Sequence, residues 1–85
     1  MHELSLLKDI FKKLKSISEE KGGASIKKVT IRLGALSHIS SDHFSEHFYE
    51  AAKGTNAENA ELEVINSEDI NDPHAQDIIL ESVEI

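Results

Sequence analysis

From Glu3 to Lys21, apolar side chains recur at Leu4, Leu7, Ile10, Phe11, Leu14 and Ile17, and Gly22-Gly23 follows. That is the three- and four-residue spacing of a helix that buries one stripe, with glycine to end it. At 1.5 Å per residue the helix runs about 28 Å, which in a chain of 85 residues makes it a main wall of any core that forms. A chain this short hides only about 60% of its unfolded surface on folding. The remaining apolar segments must therefore all pack against that one stripe, and the chain reads as a single small domain.

Those segments follow in order. Ile26 to Leu33 has period two, with Val29, Ile31 and Leu33 on one face and Lys28, Thr30 and Arg32 on the other, a half-buried strand closed by Gly34. Ile39-Ser40-Ser41-Asp42 starts a second helix: Ser40 is the N-cap, Asp42 lies in the first turn, and Ile39 is placed to staple onto Phe44. Phe44, Phe48, Ala51 and Ala52 form its apolar stripe, and Gly54 after Lys53 suits a left-handed terminator. Ala60, Leu62 and Val64 alternate with Glu61 and Glu63, so the second strand has an acidic open face where the first has a basic one, and cross-strand pairs of Lys or Arg with Glu are expected. Asn66 to Asp77 is polar, contains Pro73 and reads as a loop. Ile78 to Ile85 is a third strand, but Ile78 and Leu80 lie on one parity and Val83 and Ile85 on the other, which predicts a bulge near Glu81-Ser82. The order α-β-α-β-β predicts an α/β domain of the α+β two-layer kind, two helices packed on one face of a three-stranded sheet.

The absence of cysteine excludes disulfides, Cys-based zinc sites and thiol nucleophiles, so any metal must be held by His, carboxylate or backbone groups. The longest strictly apolar run is Ile78 to Leu80, and the start Met1-His2-Glu3 lacks the basic segment of a secretory signal, so a cytoplasmic protein is expected. Charge is unevenly spread. Residues 1–34 carry eight Lys/Arg against four Asp/Glu, whereas residues 35–85 carry only Lys53 against twelve, balances of +4 and −11. An acidic surface of this kind opposes binding to nucleic acid and suits protein or metal-ion partners.

Three groups of residues carry chemistry that a metal would use. At the amino end, Met1 is expected to be retained because His2 is too bulky for removal of the initiator. The free amine, the His2 amide nitrogen and the His2 imidazole then supply three nitrogens from two residues, and Glu3 offers a fourth donor. A fused chelate of that type suits nickel(II) or copper(II), which favour planar nitrogen coordination and displace an amide proton; zinc, magnesium and calcium do not. The first amides of a helix lack an intrahelical acceptor, so deprotonating one there breaks no bond. Second, His43-Phe44-Ser45-Glu46-His47 has the H-x-x-E-H spacing of inverted zinc peptidases, which require a further ligand and a cleft. Third, Asp69, Asn71, Asp72, His74 and Asp77 crowd one loop, but the glycine of an EF-hand is absent and the glutamate spacing is off by one, so a solvated acidic loop is expected. Lys8, Lys12 and Lys15 form a basic stripe beside the first helix's apolar face, expected to be a solvated flank, with the docking of an acidic partner helix as the alternative. There is no Gly-rich phosphate loop and no supported catalytic triad, and no enzyme is expected.

Several stretches together resemble one family. They are the start Met-His-Glu-Leu-Ser-Leu running into a helix, Val29-Thr30-Ile31-Arg32-Leu33-Gly34 followed by Ala35-Leu36-Ser37, Phe48 to Ala51, Lys53-Gly54-Thr55 leading to Ala60-Glu61-Leu62-Glu63-Val64, and the closing Val83-Glu84-Ile85. The chain is similar to the HypA/HybF family of nickel metallochaperones. The resemblance implies an α/β nickel-binding domain with Met1, His2 and Glu3 as the metal site, and nickel(II) as cargo for [NiFe] hydrogenase or urease maturation. It also implies two partners, a GTPase of nickel insertion and the hydrogenase large subunit. Members of the family insert a zinc domain with two Cys-x-x-Cys pairs between the strands corresponding to Ala60–Asn66 and Ile78–Ile85. Here a short segment at 67–76 takes its place, so the expected organisation is a single nickel-binding domain over residues 1–85 with no zinc. The competing expectation is a metal-independent interaction or regulatory paralogue, a homodimer through a strand edge or a module docking at Lys8, Lys12 and Lys15.

Overall fold

A computed structural model describes the backbone of residues 3–85 and the side chains from residue 6 onward. The elements are α1 (Glu3–Glu20), β1 (Lys28–Leu33), α2 (Ser41–Ala52), β2 (Glu61–Asn66) and β3 (Ile78–Glu84). The three strands form one mixed sheet in the order β2-β1-β3, with β1 parallel to β2 and antiparallel to β3. The helices pack on it as two layers, the architecture expected from the periodicity.

Leu7, Ile10 and Leu14 of α1 are buried, with Phe11 packed against the core from its edge. Glu20 ends the helix through the glycine pair: Gly22, at φ +74°, takes the left-handed position, its N–H donates to Glu19 O at 3.1 Å, and Gly23 N–H donates to Ser18 O at 2.8 Å. This is the paired closure that satisfies a helix's orphan carbonyls. Ser18 is an exception to the apolar stripe. It is fully buried, donating to Ala24 O at 2.6 Å and accepting from Asn56 Nδ2 at 2.6 Å, and so ties the end of α1 to the turn after α2.

Ser40 caps α2 as expected, its Oγ accepting from His43 N–H at 3.1 Å. Phe44, Phe48 and Ala52 are the buried stripe. Ala51, expected in that stripe, is exposed: one residue is a 100° step around a helix, and Ala52 already occupies the inward direction. Phe48 joins the two helices, 5.0 Å from Phe11 of α1 and 6.3 Å from Phe44 of its own helix between ring centroids.

In β1, Val29, Ile31 and Leu33 face the helices and are buried. The strand begins at Lys28 and not Ile26, because Ile26 N–H turns aside to Asn56 O at 2.9 Å. Thr30 lies on the polar face yet is only 7% exposed, since β1 is central and its neighbours crowd that face from both sides. The pairs expected between β1 and β2 form at Lys28, which lies 3.4 Å from Glu63 and 3.8 Å from Glu61; Arg32 instead reaches Glu81 on β3 at 3.0 Å. The hydrogen bond from Arg32 to Glu81, and then the charge of Glu81, hold the guanidinium pKa above its ordinary value. The parity switch in β3 is a register shift: Thr30 pairs with Ser82 and Ile31 with Leu80, leaving Glu81 as the extra residue.

Candidate metal centre

The expected nickel ligands fall at the edge of what the structure describes. Met1 and His2 lie outside the described residues, as does the side chain of Glu3, whose backbone begins α1. The surroundings of that helix end are visible from Leu6 onward. Leu6 lines a cavity of about 460 Å³ with Ser37, His38, Ser40, His43 and Ile78, so the turn between β1 and α2 and the start of β3 meet the first described turn of α1. His38 adopts φ +60°, an uncommon backbone state for a residue with a Cβ.

The turn is positioned by an unusually close approach. Gly34 N–H donates to Asp77 O at 2.9 Å and Leu36 N–H to Ala75 O at 2.7 Å, which draws the end of β1 onto the connection between β2 and β3. Ala75 is buried there. A Cβ on Gly34 would stand 2.2 Å from Ala75 O, so only glycine allows the approach.

His43 and His47, read from the sequence as part of an H-x-x-E-H match, do share one face of α2, with ring centroids 4.5 Å apart and planes inclined at 48°. Among the described residues no group of three or more His, Asp or Glu converges as a metal cage, so the further protein ligand that a zinc peptidase needs is not found among them. The acidic loop is accounted for locally. Asp69 Oδ1 accepts from Asn71 N–H at 2.9 Å, Asp72 Oδ1 from His74 N–H at 2.8 Å, and His74 Nδ1 pairs with Asp77 Oδ2 at 2.9 Å. These are turn-forming contacts.

The basic flank borders a second hollow. Lys8, Lys12 and Lys15 surround Phe11 and Leu14 of α1 in a groove of about 440 Å³, closed on the far side by residues 54–57. Sequence reading anticipated the flank; the groove is made by the turn after α2. No described helix is long and apolar enough to cross a membrane.

A family model described as "hydrogenase/urease nickel incorporation, metallochaperone, HypA" matches residues 1–71. A hydrogenase maturation factor HypA from Methanosarcina mazei is 42% identical over 62 residues, which is 73% of this chain and 45% of the relative. The protein of the same name from Archaeoglobus fulgidus is 36% identical over 64 residues, 75% of this chain and 58% of the relative. The chain thus spans about half the length of the curated relatives it matches. The solution structure of the Ni metallochaperone HypA from Helicobacter pylori shares the fold with a TM-score of 0.78 at 14% identity, covering 100% of this chain and 97% of that one.

Proposed function

Since the chain belongs to the HypA family, we propose that it carries one nickel(II) ion at its amino end and hands it on in hydrogenase or urease maturation, as a cytoplasmic metallochaperone without catalysis of its own. The observation that carries this reading is the family match over residues 1–71, which takes in Met1-His2-Glu3 together with α1, β1, α2 and β2 behind them.

The donor set needs no tertiary contact. Amine, amide nitrogen and imidazole belong to adjacent residues, so their chelate rings close on one ion whatever the rest of the chain does, and planar nitrogen coordination favours nickel(II) or copper(II). α1 begins at Glu3, and amides at a helix start have no intrahelical acceptor to lose when one is deprotonated. The positive helix end repels a cation, and the amidate and the Glu3 carboxylate offset that repulsion.

The zinc domain of the family is taken to be replaced by the connection between β2 and β3. Docked on Gly34 and Leu36, that connection keeps β3 in the sheet without cysteine ligands, so nickel binding by this chain is expected to be independent of zinc. A GTPase of nickel insertion and the hydrogenase large subunit are the partners the family membership suggests. The groove flanked by Lys8, Lys12 and Lys15 supports a second reading, a metal-independent module for an acidic partner.

Titration of untagged protein with nickel chloride separates the two. A one-to-one complex with the weak visible band of planar nitrogen coordination, lost in His2→Ala and on adding one residue before Met1, supports the carrier. Absence of binding with an authentic amino terminus refutes it, and partner binding that His2→Ala leaves unchanged supports the module.

A further inference from the structure

We propose that the groove between α1 and the turn after α2 docks an acidic amphipathic helix of a partner protein, which seats apolar side chains on Phe11, Leu14 and Ile26 and sets its carboxylates against Lys8, Lys12 and Lys15. The proposal deepens the reading of this flank as a place for an acidic partner. It stands apart from nickel binding, because every group it uses lies at Lys8 or beyond.

Charge carries the argument. In a chain of net charge −7, the cations of the sheet and of the end of α2 are neutralised internally: Lys28 by Glu61 and Glu63, Arg32 by Glu81, and Lys53 by Glu50. Lys8, Lys12 and Lys15 are exposed, and none of them enters an ion pair among the described residues. No acidic side chain is among the described residues that line the groove. The three lysines follow one another over two turns of α1, roughly 10 Å. Like charges three and four residues apart on a helix repel, and carboxylates brought from outside relieve that repulsion.

Shape and hydrogen bonding select the form of the occupant. The floor of the hollow, about 440 Å³ in volume, is Phe11, half-buried, with Leu14 and Ile26, both buried, so it offers an apolar seat beside the basic row. The opposite wall has few backbone groups to offer a visiting strand. Gly54 N–H donates to Glu58 Oε2, Thr55 N–H to Ala52 O and Ala57 N–H to Thr55 Oγ1, while Asn56 O accepts from Ile26 N–H. With a helix on one side and a committed turn on the other, strand addition is excluded. A helix satisfies its own backbone and presents acidic and apolar side chains at the same three- and four-residue spacing as the lysines.

The probe is a synthetic fluorescent peptide held helical by a hydrocarbon staple, with three Glu spaced four and three residues apart and Leu and Phe on the adjoining stripe. It is titrated into metal-free, untagged protein and followed by anisotropy. Saturable one-to-one binding is expected, weakened at least about tenfold when the peptide's Glu become Gln, when its Leu and Phe become Ala, or in the double variant Lys12→Glu with Lys15→Glu. Lys13→Glu with Lys21→Glu makes the same change of net charge outside the groove, and it should shift the affinity less than about threefold, as should His2→Ala. Circular dichroism checks that each variant is folded, and Lys12→Gln with Lys15→Gln gives a milder replacement that should still weaken binding. Equal losses in the two charge-reversed variants, or indifference to the peptide's apolar anchors, would show diffuse attraction and overturn the proposal. Absence of binding overturns it too, as does a dimer in sedimentation that the peptide cannot displace and that Lys12→Glu with Lys15→Glu dissociates, since the groove's occupant is then a second copy. Nickel binding without peptide binding refutes the groove and keeps the carrier; peptide binding without nickel binding does the reverse.

Discussion

A methyl group on Gly34 tests whether the connection between β2 and β3 is docked as the structure has it. In Gly34→Ala the new Cβ meets Ala75 O at 2.2 Å, Ala75 C at 2.5 Å and His74 O at 2.8 Å, all backbone atoms that no rotamer change can remove. Reaching ordinary contact at 3.4 Å requires the Ala75 carbonyl to retreat by about 1.2 Å. That movement stretches the bonds from Leu36 N–H to Ala75 O and from Gly34 N–H to Asp77 O. Each lost bond costs about 1 kcal/mol and overpacking of this kind about 1–3 kcal/mol, so with two bonds the substitution should destabilise by about 3–5 kcal/mol. For a domain of this size the midpoint of thermal unfolding should fall by about 10 °C or more. Far-ultraviolet circular dichroism during heating and urea titration measures the loss, and amide exchange at Leu36 locates it. A change below about 0.5 kcal/mol with Leu36 still protected would show that the two segments do not approach as described, and the placement of β3 would have to be revised.

Ser18→Ala removes a hydroxyl that is both donor and acceptor in a buried position, leaving Ala24 O and the Asn56 amide unmatched; a loss of about 1–3 kcal/mol in urea unfolding is expected. Arg32→Ala breaks a 3.0 Å ion pair yet should leave the urea midpoint nearly unchanged, because the pair is solvent-screened; a clear loss that persists in high salt would contradict that account. Nickel affinity at the amino end should weaken by at least about tenfold for each pH unit lowered below neutrality, since amine, imidazole and amide must all release protons to bind. A flat pH profile in calorimetry would point to carboxylate or carbonyl ligands instead.

How far the site could be read in advance follows from how local its parts are. The amino-terminal chelate is a matter of adjacent covalent chemistry, so three consecutive residues suffice to expect it. The His43–His47 pair was visible as a spacing, but its ring separation and the cavity shared by His43, His38 and Leu6 depend on how α2 and the preceding turn rest against α1. Nothing in the run of residues around Ser18 distinguished it from an exposed helix position. Its burial comes from Asn56, thirty-eight residues away. Ala51 and Ala52 are equally apolar, and only the direction of the core chose between them.

What the amino-acid order settled alone were the elements and those of their ends that local hydrogen bonds or strand parity mark. Side-chain periodicity separates helix from strand, Ser40 and Gly22 mark boundaries through local hydrogen bonds, and the parity change around Glu81 announces a bulge because a strand's side chains alternate strictly. Tertiary structure decided the rest: that β1 is central with β2 parallel and β3 antiparallel to it, that Arg32 pairs with Glu81 on β3, and that Gly34 must be bare to admit Ala75. Each of these is a contact between residues more than thirty apart, and a local pattern can state that a face is apolar or charged but not which distant face will meet it.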